Sequence, residues 1–167
     1  MERGICPIAA VCTVELSKLQ KCSDVFISAA PTQCPVDVIF VLDKSRSVGT
    51  TNWELMKEFV SRLVAGMDVD NENTRVGLVC FSDDVHTEDA FHLNAHSTLA
   101  SIQSAISALN YSEGLTHTAA ALRYVRTVML TTAAGDRTHV PNVVIVLTDG
   151  QSNVNQTQTE VCTPTGQ

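Results

Sequence analysis

Two stretches of this chain are apolar almost without interruption and rich in β-branched residues: Val36-Asp-Val-Ile-Phe-Val-Leu42 and Val143-Val-Ile-Val-Leu147. A strand with one wet face alternates apolar and polar side chains, so a continuous apolar run marks a strand covered on both faces. Both faces can be covered only if helices pack above and below the sheet. The segments between the two runs supply them. Trp53, Met56, Phe59, Val60, Leu63, Val64 and Met67 recur at steps of three and four, which predicts an amphipathic helix over 52–67, capped by Thr50, Thr51 or Asn52 with Glu54 in its first turn. Leu99, Ile102, Ile106 and Leu109 describe a second helix, and Ala119, Leu122, Val125 and Met129 a third.

Arg75 to Phe81 reads as a further strand. Val85 to Leu93 reads as an edge strand, because His86, Glu88 and His92 interrupt its apolar pattern. Strands alternating with helices imply right-handed crossovers, hence an α/β domain with a doubly wound, mainly parallel sheet and helices on both faces. With one Trp, two Tyr and five Phe, aliphatic side chains must fill its core.

Residues 1–34 differ in kind. They hold four of the six cysteines (Cys6, Cys12, Cys22 and Cys34) and show no sustained periodicity beyond a short helix expected over 14–21. No Cys-x-x-Cys pair is present, so the zinc-ribbon and thioredoxin signatures are missing, and the spacings fit the end of a disulfide-bearing segment. Cys80 lies inside an apolar strand and is expected as a buried free thiol. The stretch from Ile5 to Val14 carries two cysteines and no small-x-small cleavage site, so a longer precursor is expected to precede it. Two sequons, Asn110-Tyr-Ser112 and Asn155-Gln-Thr157, are compatible with a secreted glycoprotein.

Charge narrows the partners. Eleven Lys and Arg against eighteen Asp and Glu give −7, a surface that repels phosphate backbones, so nucleic acid is not expected. No run of 18 apolar residues exists, so no membrane insertion is expected.

In an open parallel sheet, ligands bind beyond the carboxyl ends of the strands. After the first buried strand comes Asp43-Lys-Ser-Arg-Ser47, and after the last comes Thr148-Asp149-Gly150. The loop opening the third helix reads Glu113-Gly-Leu-Thr-His-Thr118. The three segments bring two carboxylates and several hydroxyls to one edge. Such hard oxygen donors suit Mg²⁺, Mn²⁺ or Ca²⁺ rather than zinc or copper. Each piece alone is equally well a helix cap or an Asx turn; what carries weight is all three following the appropriate elements in order.

From Cys34 to Ser152 the chain resembles a von Willebrand factor A domain, the fold of the integrin inserted domain. The likeness rests on the strand ending in Asp43, the stretch Tyr111-Ser-Glu-Gly-Leu-Thr-His-Thr-Ala-Ala-Ala-Leu122, and Val143-Val-Ile-Val-Leu-Thr-Asp-Gly150. The approach from Gly135 to Val144 looks most like the matrix branch, such as type VI collagen and matrilins. The resemblance implies a Rossmann-like fold and a metal-ion-dependent adhesion site. Asp43, Ser45, Ser47, Thr116 and Asp149 fall on its ligand positions, Mg²⁺ (or Mn²⁺ or Ca²⁺) is the implied cofactor, and an acidic residue of a protein partner completes the coordination. Lys44 and Arg46 fall at variable positions, where solvation is expected.

Against that family, residues 35–167 are expected to form a domain lacking the last strands and helices, roughly fifty residues. Val143–Leu147 would then be an apolar edge strand, an aggregation hazard. The family's usual disulfide partner positions leave any Cys34–Cys162 bond open. The implied function is extracellular adhesion or matrix assembly, with collagen or another matrix protein as partner. The alternatives are a scaffold with a vestigial or structural metal site and, behind it, a metal-dependent hydrolase. No Gly-x-Ser-x-Gly elbow, His-Glu-x-x-His pair or phosphate loop supports an enzyme, and His92 and His96 straddle a strand–loop junction.

Overall fold

The computed structural model describes residues 35–150 and the backbone of residues 10–15. Five strands form one sheet: β1 (Ala10–Glu15), β2 (Val36–Asp43), β3 (Thr74–Phe81), β4 (Val85–Phe91) and β5 (Asn142–Thr148), in the spatial order β1-β5-β2-β3-β4. All neighbours are parallel except β4, which runs antiparallel at the edge beside β3. Helix α1 (Gly49–Ala65) follows β2, and α2 (Leu99–Ala108) follows β4. Helix α3 (Thr118–Tyr124) runs on into a π turn at Val125–Met129, and a short 3₁₀ turn (Thr132–Ala134) precedes β5.

The strand alternation sorts the core into two layers. Val38, Phe40 and Leu42 of β2, with Val76, Leu78 and Cys80 of β3 and Ile145 and Leu147 of β5, pack against Trp53, Met56, Val60 and Ile102 of α1 and α2. The intervening residues Ile39, Val41, Val79, Val144 and Val146 face Ala121, Leu122, Val125 and Met129 on the other side. Both faces of the sheet are thus covered, as the unbroken apolar runs require. Cys80 is a fully buried free thiol, and burial raises its pKa strongly by disfavouring the thiolate.

Three expectations are corrected. Val143–Leu147 is not an edge: β1 pairs along β5 from Ala10↔Val143 to Glu15↔Thr148. Val14 and Glu15 are extended in β1 rather than helical, because β5 offers a parallel edge that a short polar helix cannot match; the rest of that expected helix lies outside the described residues. The third is the start of α1. It begins at Gly49, its N-cap position is Val48, and no side chain of Thr50, Thr51 or Asn52 caps it. The Asn52 amide instead donates back to the Val48 carbonyl.

Cys6, Cys22, Cys34 and Cys162 lie outside the described residues, as do Ser152 and the second sequon. Among the described residues no helix is long and apolar enough to cross a membrane.

Candidate metal centre

Strands β2 and β5 are neighbours in register, with Leu42 opposite Leu147, so the residues that follow them emerge side by side at one edge of the sheet. Asp43 is fully buried there. Its carboxylate accepts from the Thr148 hydroxyl at 2.6 Å on Oδ2 and from the Ser45 amide at 2.8 Å on Oδ1. The Ser45 and Ser47 hydroxyl oxygens are 3.3 Å apart, and the Ser47 hydroxyl donates to Asp149 Oδ1 at 3.0 Å. One chain of polar contacts, through the Ser45 amide and the two serine hydroxyls, therefore links Asp43, Ser45, Ser47 and Asp149.

Thr116 arrives from a different loop. It is buried and lines one depression together with Arg46, Ser47, Asp83, Gly114 and Leu115. Three amide hydrogen bonds fix that loop: the Arg46 amide donates to the Gly114 carbonyl at 3.0 Å, the Leu115 amide to the side-chain Oδ1 of Asp83 at 3.0 Å, and the His117 amide to the Ser82 carbonyl at 2.7 Å. Gly114 is required by close approach, since a Cβ there would fall 1.8 Å from Asp83 Oδ1. The amide hydrogen bonds hold the Asp83 carboxyl below its ordinary range.

Burial pushes the Asp43 carboxyl above its ordinary range, and the negative charge of Asp149 adds to the rise; the Thr148 and Ser45 hydrogen bonds oppose it without cancelling it. No Lys, Arg or His among the described residues forms an ion pair with Asp43.

This holds even though Lys44 is the next residue. Expected in solvent, Lys44 is buried, its side chain 4% exposed, and its ammonium lies 2.6 Å from Asp89 Oδ2 and 5.8 Å from the centre of the Trp53 ring. The strand alternation explains the correction: β2 pairing continues one residue beyond Asp43 through the Lys44 amide and the Phe81 carbonyl, so Lys44 turns to the α1 side, away from the carboxylates. Arg46 is exposed as expected and pairs with Glu113 at 3.1 Å.

The histidines have other duties. His86 is bonded through Nε2 to the Ser82 hydroxyl at 2.7 Å and through Nδ1 to Glu88 at 3.0 Å. With Asp89 these form the cluster of metal-capable side chains found among the described residues, but Asp89 already carries the Lys44 ammonium. The His96 ring packs edge-on against Phe91, and His117 Nδ1 lies 3.3 Å from the Asp83 carbonyl.

Sequence reasoning missed three contributors. Thr148 was visible as a hydroxyl at the end of a buried strand beside Asp149. Asp83 and Tyr111 gave no local sign, because their contacts are with loops far away in sequence.

Residues 37–164 match the family model described as von Willebrand factor type A domain. The chain is 37% identical over 121 residues to the collagen alpha-4(VI) chain of Mus musculus, 71% of this chain and 5% of that protein. It is 42% identical over 120 residues to matrilin-4 of Homo sapiens, covering 70% and 19% respectively. The chain thus spans less than a quarter of these relatives' length. Among solved structures, proximal thread matrix protein 1 from the mussel byssus superposes with a TM-score of 0.71 at 28% identity, over 79% of this chain and 35% of that one. A second structure of the same mussel protein, described as having a zinc-occupied MIDAS motif, gives a TM-score of 0.69 at 28% identity, over 76% and 34%.

Proposed function

Since the chain belongs to the von Willebrand factor type A domain family, we propose that it is an extracellular protein-binding module whose adhesion site holds a divalent cation between Asp43, Ser45, Ser47, Thr116 and Asp149. The observation that carries this reading is a buried carboxylate, facing a second one, to which the described residues bring hydroxyls and no cationic side chain. Burying an unpaired charge is costly, and a bound metal removes the cost.

The donor chemistry fits a hard ion. All five side chains offer oxygen, which favours Mg²⁺, Mn²⁺ or Ca²⁺. The zinc-occupied MIDAS motif of the similar mussel protein supports a divalent cation as the ligand and adds Zn²⁺ to the ions worth testing. In this reading Ser45, Ser47 and Thr116 bind through their hydroxyls, one aspartate acts through water, and Thr148 orients the Asp43 carboxylate from behind. Bound there, the cation would supply an electrophilic position for an acidic side chain of the partner.

The rim suits a protein surface. Leu115 is 59% exposed immediately before Thr116, and Arg46 stands free of the core opposite Glu113. Collagen or another matrix protein is the proposed partner class, in keeping with relatives that are collagen chains and matrilins by name. Secretion follows from the same reading, and residues 35–167 are its cation-binding unit.

Thermal unfolding with and without divalent cation tests the assignment. At a hundredfold excess over Kd the cation is expected to add about 2.7 kcal/mol, a rise of roughly 5–10 °C in Tm, and Asp149→Ala to abolish the rise. An unchanged rise in that variant overturns the ligand set. Capture on a collagen-coated surface should then be lost in EDTA; cation binding without cation-dependent capture would favour the structural-scaffold alternative.

A further inference from the structure

The Asp43–Ser47 loop must turn sharply from a buried strand into helix α1; the Ser45 amide to Asp43 Oδ1 at 2.8 Å and the Val48 amide to the Ser45 carbonyl at 3.1 Å bond it internally, but leave the Gly49 amide at the start of the helix without a partner from the loop. Gly49, the first residue of the helix, has φ of 69°, a left-handed conformation that glycine adopts without strain; a Cβ there would meet nothing, so the choice of glycine is one of backbone conformation. The first amides of a helix lack partners within it, and no side chain at the start of α1 supplies one.

A tyrosine 62 residues further along the chain does so. The Gly49 amide donates to the Tyr111 hydroxyl oxygen at 3.2 Å. That hydroxyl donates its one proton to the Ser45 carbonyl at 2.9 Å, with the Arg46 carbonyl at 3.4 Å beside it. A single oxygen thus bridges both ends of the turn that carries Ser45 and Ser47. The ring cannot drift, because it is half-buried against Trp53, with centroids 6.2 Å apart, and Trp53 is fully buried in the core. Tyr111 also begins the segment that leads to Thr116, and the Arg46 amide bonds to Gly114 in that same segment.

We infer that Tyr111 is a positioning residue of the adhesion site: its hydroxyl freezes the Asp43–Ser47 turn so that Ser45 and Ser47 present their oxygens without a search when the cation arrives. The inference rests on the cation-binding reading given above. Tyr111 touches only backbone atoms of the turn, so its effect is preorganisation, which lowers the ordering cost of binding.

Tyr111→Phe removes one oxygen and keeps the ring. Mn²⁺ titrated calorimetrically into wild type and variant should bind about three- to ten-fold more weakly to the variant, while Tm in EDTA changes little. Amide hydrogen exchange without metal gives an independent readout: Gly49 should exchange faster in the variant while the β2 amides keep their protection. Tyr111→Ala, which also loses the packing on Trp53, should lower Tm in EDTA as well, separating anchoring of the turn from core stability. Equal Mn²⁺ affinity and unchanged Gly49 exchange in Tyr111→Phe overturn the inference and leave the metal assignment standing. Absence of Mn²⁺ binding by wild type overturns both.

Discussion

Strand β2 carries an aspartate near each end, and the fold treats the two in opposite ways. Asp37 and Asp43 are both fully buried. Asp37 receives the Arg137 guanidinium at 2.6 and 2.8 Å and the Arg137 amide at 3.0 Å. The same guanidinium donates to the carbonyls of Val36, Glu72 and Asn73, tying the start of β2 to the turn before β3. Asp43 receives a hydroxyl and an amide, and among the described residues the charge that acts on it is another carboxylate, Asp149. One pole of the strand is electrostatically closed. The other is left open at the edge where the binding loops gather. A fold able to build the Asp37–Arg137 pair had the means to neutralise Asp43 too, and the one lysine within reach in sequence is turned away to Asp89. The difference separates charge buried for architecture from charge held ready for something that comes from solution.

If that contrast holds, breaking the closed pole should hurt most. Arg137→Met leaves Asp37 buried and unpaired, and is expected to cost about 3–5 kcal/mol in chemical denaturation, with no recovery on adding Mg²⁺. A smaller and opposite effect is expected at the open pole. In EDTA at pH 7, Asp43→Asn should raise Tm by a few degrees, since it removes a charge the metal-free site does not compensate. The pH dependence follows from the raised carboxyl. The folded state holds that proton more tightly than the unfolded one, so wild type is relieved below the unfolded value of 3.8 and loses stability as pH rises through the folded value. The advantage of Asp43→Asn should therefore vanish in strong acid, grow through the acid range and level off. Adding Mg²⁺ at pH 7 should reverse the order, and a variant more stable than wild type in both EDTA and Mg²⁺ would break the comparison. The smallest effect is expected on the rim. Arg46→Gln removes an exposed pair and should change stability by less than about 0.5 kcal/mol, so any loss of partner capture in that variant would report contact rather than folding.

Much of the architecture was legible because it depends on local periodicity. The runs at Val36–Leu42 and Val143–Leu147 gave the buried strands. The spacing of Trp53, Met56, Phe59, Val60, Leu63 and Val64 picked out the residues that α1 buries. What the periodicity could not reach were contacts between distant parts of the chain. The Asp37–Arg137 pair joins residues a hundred positions apart, and the cap of α1 is a tyrosine hydroxyl from beyond α2. Lys44 was misplaced because a lysine is ordinarily solvated; only its alternation with Asp43 and the arrival of Asp89 on β4 make its burial tenable. The hydroxyls and carboxylates of the site were readable from the order of their motifs, whereas the second layer, Thr148, Asp83 and Tyr111, is a product of the fold.

The pairing of β1 with β5 also sets an order of events. Ala10 meets Val143, so nearly the whole described chain lies between the two partners. During synthesis β1 emerges first and must wait for β5, the last of the described strands, before it can dock. Loop closure over such a span is slow, which makes β1 a late joiner to a sheet already nucleated by β2 and β3. The same arrangement means that β1 is already synthesised, though not yet docked, when β5 leaves the ribosome. Its apolar edge is exposed for the time one strand takes to find its register.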